Sequence, residues 1–146
     1  MLVRTSTAVW EGGLKNGKGK MKIGKGAFDG TYSFASRFES GTGTNPEELI
    51  GAAHAGCFSM ALALMLEQEG YKPERITTTA RVKVDKAGDG YRITGIDLDT
   101  DGVVPGIDEA HFREKAEAAK NGCPVSVALA RVDIKLEARL GKAKAA

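Results

Sequence analysis

The sequence contains two cysteines, Cys57 and Cys123, whose surroundings differ from those of packing residues or metal ligands. Cys57 lies deep in an apolar run of helical character over residues 49–66. Cys123 lies between Gly122 and Pro124, where glycine can end one helix and proline can begin the next. A thiol at a helix N-terminus faces unpaired N–H groups and a partial positive charge, which favour the thiolate. The sequence therefore predicts a reactive pair, although Cys57 taken alone also fits a buried apolar role.

A reactive Cys57 needs a neighbouring group that stabilises its thiolate, since a free thiol with a pKa near ~8.5 is only a few per cent ionised at neutral pH. His54 lies three residues before Cys57 and therefore on the same helical face. It can form a Cys–His pair with the thiol, or it can be a packing histidine that bonds to backbone or water. Both interpretations of His54 remain open at the level of sequence.

Arg37 is the second candidate cation. A predicted strand over residues 31–38 alternates Tyr32, Phe34 and Phe38 against the face that carries Arg37. Strand parity therefore predicts an exposed arginine, unless a partner subunit covers its face. A guanidinium that is covered can stabilise both a thiolate and the alkoxide released when an O–O bond breaks.

Three segments resemble the OsmC branch of the OsmC/Ohr family, bacterial thiol-dependent peroxidases that reduce organic hydroperoxides. These segments are Thr44 to Met65, Val104 to Asp108 and Gly122 to Ser126, and the similarity extends over nearly the whole chain. The resemblance implies that Arg37 is the active-site arginine and that Glu47 is the carboxylate that orients it. Without the resemblance, Glu47 is equally well an ordinary first-turn carboxylate that interacts with the helix dipole.

With this resemblance, the preferred function is peroxidase activity in the response to oxidative and osmotic stress. The Cys57 thiolate attacks the O–O bond, an alcohol leaves, and Cys57 becomes a sulfenic acid. Cys123 then condenses with it to a disulfide, which an external dithiol reduces. The resemblance implies organic hydroperoxides as substrates and a dithiol reductant of the lipoyl type, such as a lipoyl-bearing protein. The alternatives are a Cys–His acyl-transfer enzyme built on Cys57 and His54, and a non-catalytic carrier of apolar ligands.

Spacing and composition exclude several other classes. Cys57, Cys123, His54 and His111 lack the close spacing of structural zinc ligands, so no metal or cofactor is predicted. The net charge of +2 is too small for a nucleic-acid partner, and the lysines of residues 15–25 fit a solvated hairpin. We expect a cytoplasmic protein without a membrane segment, because no signal segment and no apolar run of spanning length are recognised.

The pattern of elements predicts an α+β fold in which antiparallel sheets surround a long central helix. The helix begins at Thr44 or Asn45 and ends near Gly70. Residues 1–141 form one domain, followed by a frayed tail over residues 142–146. Three strands, over residues 3–10, 20–23 and 31–38, come before the helix. After it come a strand over residues 76–85, a bulged strand over 91–100, a helix over 108–122 that an aspartate caps, and a final strand over 132–140.

The central helix is apolar or small at almost every position between Leu49 and Leu66. A helix that is apolar on all sides must be covered on all sides, and a single sheet covers only one of them. Gly51, Ala52, Ala55 and Gly56 would allow a second helix to approach closely. The sequence therefore predicts an intertwined homodimer with paired central helices.

Overall fold

The computed structural model describes residues 1–141, so the tail predicted over residues 142–146 lies outside the described residues. The chain divides into two compact units, one of residues 1–49 and the other from Ile50 onward. The expectation of a single domain over residues 1–141 stays a prediction.

The first unit contains a three-stranded antiparallel sheet in the order β1-β2-β3. Its strands are β1 (Ser6–Glu11), β2 (Lys18–Ile23) and β3 (Phe28–Tyr32). Strands β1 and β2 form a hairpin, and the side chains of Lys18, Lys20 and Lys22 are exposed to solvent. This arrangement confirms that the lysine-rich stretch is a solvated hairpin.

A short helix, α1 (Phe34–Phe38), follows β3 and corrects the predicted strand over residues 31–38. Ser33 and Ser36 form a capping box, in which each side chain hydroxyl accepts from the backbone N–H of the other residue at 3.1 and 2.9 Å. The chain therefore turns into a helix after Tyr32. Phe34 and Phe38 are neighbours on that helix, with ring centroids 5.1 Å apart, rather than neighbours on one face of a strand.

The long helix α2 (Pro46–Gln68) begins and ends where the sequence predicts. Asn45 caps it, because its Oδ1 accepts from the backbone N–H of Glu48 at 2.8 Å. Gly70 follows the last turn with a φ of +88°, a conformation that glycine adopts without strain. By length and composition alone, α2 could cross a membrane, which corrects the expectation that no apolar run is long enough.

The second unit contains a mixed sheet in the order β4-β5-β6, which corrects the prediction of antiparallel sheets throughout. Its strands are β4 (Arg75–Ala87), β5 (Gly90–Val103) and β6 (Asp133–Leu140). Strands β4 and β5 pair antiparallel, whereas β5 and β6 pair parallel. Parallel pairing follows from the helical crossover between β5 and β6, which returns the chain to the end where β5 began.

Two helices form that crossover, α3 (Glu109–Gly122) and α4 (Pro124–Ala128). Asp108 caps α3 as predicted, since its side chain accepts from the backbone N–H of His111 at 2.9 Å. The predicted bulge in β5 is also present. Lys83 pairs with Gly95 and the next residue of β4 pairs with Ile93, which leaves one extra residue in β5.

The core of the second unit lies between α2, the mixed sheet and α3. Phe58, Leu62 and Leu66 of α2 are fully buried, as is Phe112 of α3. Gly51 faces the sheet at close range and not a second helix, because a Cβ there would lie 3.4 Å from Val82 Cγ2. The α+β class is therefore confirmed, with α2 packed against the sheet through one face.

Candidate functional site

The two thiols come together in the second unit. Cys57 lies on α2 and is half-buried, whereas Cys123 lies between α3 and α4 and is fully buried. Cys57 packs against the buried cluster that contains Cys123, and both Cys123 and the backbone N–H of Val125 influence the pKa of its thiol. Both cysteines are free thiols. Two thiols that lie near each other in one unit are candidates for a disulfide.

The surroundings of Cys57 within this unit favour the thiol over the thiolate. Burial raises its pKa above the ordinary value, and the neighbouring Cys123 raises it further, whereas the N–H of Val125 opposes this shift. These contacts do not supply the cationic partner that the sequence analysis predicts for Cys57. Any group that makes Cys57 a thiolate at neutral pH must act in addition to these contacts.

Cys123 ends one helix and begins the next, as the Gly–Cys–Pro sequence predicts. Its backbone N–H donates to the carbonyl of Ala119 at 2.9 Å, which closes the last turn of α3. Its sulfur accepts from the backbone N–H of Ser126 at 3.3 Å, which caps the first turn of α4. These two bonds fix the position of the sulfur.

His54 is fully buried and bonds to Ser126, not to Cys57. Its Nε2 lies 2.7 Å from Ser126 Oγ, and that oxygen lies 3.1 Å from the sulfur of Cys123. Burial lowers the pKa of His54, so the ring is neutral at pH 7. The Cys–His pair considered for His54 and Cys57 is therefore not formed, and the partner of the histidine is a hydroxyl group.

Arg37 and Glu47 form a bidentate ion pair in the first unit. Arg37 Nη2 lies 2.6 Å from Glu47 Oε1, and Nε lies 3.1 Å from Oε2. The residue Glu47 is only 8% exposed, so its carboxylate requires such a partner. Arg37 is exposed, as the sequence predicts, although it lies on α1 and not on a strand. That Glu47 orients Arg37 for chemistry stays a prediction.

Polar contacts hold α1 beside the first turn of α2 and so bring Arg37 to Glu47. Asn45 Nδ2 donates to the carbonyl of Ser36 at 3.0 Å, and Ser36 Oγ donates to the carbonyl of Thr44 at 2.7 Å. Ser36 and Asn45 are both buried, so these bonds replace lost contacts with water. The two bonds join α1 to Thr44 and Asn45, the residues that lead into α2.

Sequence reasoning assigned no role to Ser36 or Ser126. Both stand three residues after a helix cap, Ser33 for α1 and Cys123 for α4. A polar residue at this third position is the recognisable part of a capping box. That spacing could have predicted both short helices.

His111 lies away from the thiols, at the surface of α3. Its ring pairs with the carboxylate of Glu69, which raises the pKa of His111 above its ordinary value. Within residues 1–141, no three histidine, cysteine, aspartate or glutamate side chains are grouped so that they could hold a metal ion. The four-residue zinc set considered above is therefore not assembled.

Comparison with known proteins identifies relatives of the chain. The model of the family described as OsmC-like protein matches residues 39–137. Peroxiredoxin OsmC of Escherichia coli strain K12 is 50% identical over 134 residues, which cover 91% of this chain and 93% of that protein. Organic hydroperoxide resistance protein OhrA of Bacillus subtilis is 33% identical over 96 residues, which cover 64% of this chain and 66% of the relative.

A solved structure agrees with these similarities. The crystal structure of the organic hydroperoxide resistance protein OhrB of Bacillus subtilis has a TM-score of 0.72 and 28% sequence identity, and the match covers 92% of this chain and 97% of that one. A structure of an OsmC-like protein from Mycoplasma pneumoniae, at 18% identity and a TM-score of 0.74, shares the fold. The arrangement of elements and the sequence similarity lead to one conclusion: the chain belongs to the OsmC-like protein family.

Proposed function

We propose that the chain is a thiol-dependent peroxidase that reduces organic hydroperoxides to alcohols. The observation that carries the proposal is the proximity of Cys57 and Cys123, two free thiols that the fold brings into one packed cluster from distant parts of the sequence. The names of the relatives support the substrate class, since one is a peroxiredoxin and others confer organic hydroperoxide resistance.

The reaction has three steps. The Cys57 thiolate attacks one oxygen of the hydroperoxide, the O–O bond breaks, and the alkoxide takes a proton to leave as alcohol. Cys57 is then a sulfenic acid, and the sulfur of Cys123 attacks it to form a disulfide with release of water. An external dithiol, of the lipoyl type that the family resemblance implies, reduces the disulfide and is itself oxidised. No metal or other cofactor takes part in these steps.

We assign Arg37 the stabilisation of the thiolate and of the developing alkoxide. Glu47 holds two nitrogens of the guanidinium, Nε and Nη2, so that the orientation of the fork is fixed. Helix α2 is continuous through Gly51, so Glu47 would act on the chemistry through Arg37 and not by direct contact with Cys57. This assignment does not depend on which subunit of a dimer supplies the arginine.

The proposed enzyme is a homodimer, because one face of α2 is apolar and exposed in the part of the chain that the structure describes. Met60 is 77% exposed and Leu64 is 56% exposed, and Ala53 and Gly56 extend the same face. Residues three or four apart in this way form one stripe along a helix. A second copy of the chain can cover the stripe, and so account for an apolar helix of spanning length without a membrane.

We further propose a cytoplasmic location, without a membrane or nucleic-acid partner. Free, closely spaced thiols persist in a reducing compartment, where an external dithiol is also available. The lysines of the first hairpin are exposed, and one of them is neutralised by the ion pair between Lys20 and Asp29.

The acyl-transfer alternative lacks its catalytic base. His54 bonds to Ser126 and not to Cys57, so this imidazole is not placed to activate the Cys57 thiol. A carrier of apolar ligands would not need either thiol. The peroxidase is the candidate that uses both of them.

Replacing each cysteine in turn by serine tests the proposal. Cys57→Ser should abolish peroxide consumption even in a single turnover with cumene hydroperoxide. Cys123→Ser should consume about one peroxide per chain and stop at a sulfenic acid that a dimedone-type reagent traps. Peptide mapping of the oxidised parental protein without reductant should find a disulfide between Cys57 and Cys123 within one chain.

Two results would reject the proposal as written. If the two serine variants behaved identically, the roles of attacker and resolver would be wrong. If the parental protein lost no thiols on treatment, or formed a disulfide between two copies of Cys57, the two-cysteine cycle would not operate.

A further inference from the structure

Three buried side chains form a hydrogen-bonded chain that ends at the sulfur of Cys123. Cys123 Sγ lies 3.1 Å from Ser126 Oγ, and Ser126 Oγ lies 2.7 Å from His54 Nε2. His54 and Cys123 are fully buried, and Ser126 is 4% exposed. The hydroxyl can therefore accept from the thiol and donate to the imidazole at the same time.

Packing alone does not account for a histidine at this buried position. A buried imidazole costs free energy unless its nitrogens are bonded, and Nδ1 of His54 has no hydrogen-bond partner among residues 1–141. An apolar side chain would fill the same space without that cost. A neutral imidazole with one nitrogen aimed at a hydroxyl is, however, suited to accept a proton.

We propose that His54, acting through Ser126, accepts the proton of Cys123 when Cys123 attacks the sulfenic acid of Cys57. The inference rests on the proposed function, because it concerns the second step of that reaction. Ser126 is the positioning residue that connects the thiol to the imidazole. The attack of Cys57 on the hydroperoxide does not involve this relay.

The step balances in protons and electrons. The Cys123 thiol gives its proton to Ser126 Oγ while the Ser126 hydroxyl gives its own to His54 Nε2. The thiolate attacks the sulfur of Cys57, an S–S bond forms, and the S–O bond breaks to release hydroxide. The hydroxide takes up the proton that His54 holds, which gives water and restores the neutral imidazole.

The charges around the relay favour a transient imidazolium only while Cys123 is a thiolate. Burial is the cause of the low pKa of His54, and no charged side chain contributes to it. The titratable neighbours are the thiols of Cys57 on α2 and Cys123 at the end of α3. Lys120 of α3 borders the same cleft as Ser126, of about 290 Å³, and is paired with Glu117.

The face of the mixed sheet next to α2 brings no charge to the relay. Thr78 of β4 bonds to Ser59 of the helix, and Ala80 and Val82 lie beside Gly51. Arg75, Arg81, Lys83 and Asp85 of β4 alternate with these residues and are exposed, and Lys86 is exposed near the end of the strand. The attraction between imidazolium and thiolate is therefore the main compensation for desolvation.

The experiment separates the two chemical steps. The protein is mixed with one equivalent of cumene hydroperoxide, sulfenic acid is followed by trapping, and the disulfide is followed by mass spectrometry without reductant. Four variants are compared with the parental protein: Ser126→Ala, Ser126→Thr, His54→Gln and, as a matched control at the other histidine, His111→Gln.

We expect Ser126→Ala and His54→Gln to form the sulfenic acid at the parental rate but to convert it to disulfide at least tenfold more slowly. General-base assistance is typically worth roughly a hundredfold to ten-thousandfold, and a relay through a hydroxyl falls within that range or below it. Ser126→Thr keeps the hydroxyl and should resemble the parental protein, as should His111→Gln. The parental rate of disulfide formation should fall as pH is lowered through the titration of His54, and His54→Gln should lack this limb.

Glutamine at position 54 distinguishes a relay from a structural tie, since its side chain can accept from Ser126 but cannot take up the proton. A parental rate of disulfide formation in His54→Gln would therefore overturn the proposal. If that variant does not fold, Ser126→Ala and Ser126→Thr keep the proposal testable, because a parental rate of disulfide formation in Ser126→Ala would also overturn it. A parental protein that forms no sulfenic acid would instead reject the peroxidase itself, and the relay with it.

Discussion

At the scale of single residues, the chemistry depends on how Cys57 becomes a thiolate. Its contacts within the second unit raise its pKa, since burial and Cys123 outweigh the N–H of Val125. Arg37 carries a permanent charge, but part of that charge is neutralised by Glu47. We therefore expect the orientation of its N–H groups to matter more than its net charge.

Arg37→Lys tests this expectation, because lysine keeps the charge and loses the planar fork. The second-order rate constant with cumene hydroperoxide should fall at least tenfold, which corresponds to about 1.4 kcal/mol. Arg37→Ala should in addition raise the kinetic pKa of Cys57, measured as the pH dependence of alkylation by iodoacetamide. Arg113→Lys is the matched control, since Arg113 also forms an ion pair with a glutamate, the exposed Glu109 of α3. Parental rates and an unchanged kinetic pKa in both Arg37 variants would make Arg37 a surface residue.

The two histidines should titrate on opposite sides of their ordinary pKa of 6.5. Burial lowers the pKa of His54, and the carboxylate of Glu69 raises that of His111. His54 therefore contributes stability that is present above its unfolded pKa and is lost as pH falls through its folded pKa. His111 contributes stability that is present below its unfolded pKa and is lost as pH rises through its folded pKa.

Imidazole resonances in NMR spectra recorded against pH would measure both values, and His111→Gln would assign the signals. Equal midpoints for the two rings would contradict the burial of His54.

At the scale of elements, local rules predicted those features that local bonds create. The cap and the glycine end of α2, the aspartate cap of α3, the bulge in β5 and the junction at Cys123 are all fixed by residues close together in sequence. The direction of β6 is not, because alternation is the same for parallel and antiparallel pairing. Helix α1 was missed because Phe34 and Phe38, four residues apart, fit both a strand face and a helix face.

The residues of the site divide in the same way, into those that the sequence predicts and those that only the fold brings together. Both cysteines and the pair of Arg37 with Glu47 were proposed from sequence with the help of a family resemblance. The bond between His54 and Ser126 was not, since it joins residues far apart in the chain. Helical spacing placed His54 on the side of Cys57, whereas the crossover of α3 and α4 supplied a hydroxyl as a closer partner.

Gly102 of the sheet allows α3 to pack closely, because it has no Cβ at the position next to the ring of Phe112. A Cβ at Gly102 of β5 would lie 2.4 Å from two ring carbons of Phe112, which is buried in the core. Gly102→Ala should therefore lower the free energy of unfolding by about 1–3 kcal/mol, the usual cost of overpacking. Urea unfolding followed by circular dichroism measures this difference.

Gly95→Ala in the same strand is the matched control. Its Cβ would meet Lys83 Cδ at 3.5 Å and the carbonyl of Asp133 at 3.6 Å, both ordinary contacts. We expect a change within about 0.5 kcal/mol. Equal losses in the two variants would mean that the cost arises from glycine in a strand and not from the ring of Phe112.

At the scale of the whole molecule, each of the two described units exposes apolar side chains. The stripe on α2 is one such surface, and the first sheet exposes others, with Val9 at 54% and Phe28 at 38%. Contiguous apolar surface of this kind marks sites of association. In the proposed dimer, the stripes of two α2 helices pack against each other, with Gly56 permitting close approach because no atom lies within 4 Å of the position of its missing Cβ.

Sedimentation equilibrium at micromolar concentration should give about twice the chain mass of 15.4 kDa. Met60→Lys should shift this value towards the mass of one chain. A dimer with a dissociation constant of 1 μM is held by about 8.2 kcal/mol, and burying an unpaired ammonium at its centre costs several kcal/mol of that. Ala110→Lys adds the same charge on an exposed position of α3 and should leave the dimer intact. If the parental protein sedimented as a stable, active monomer, the stripe would need another explanation, and no second subunit could supply a side chain to the thiols.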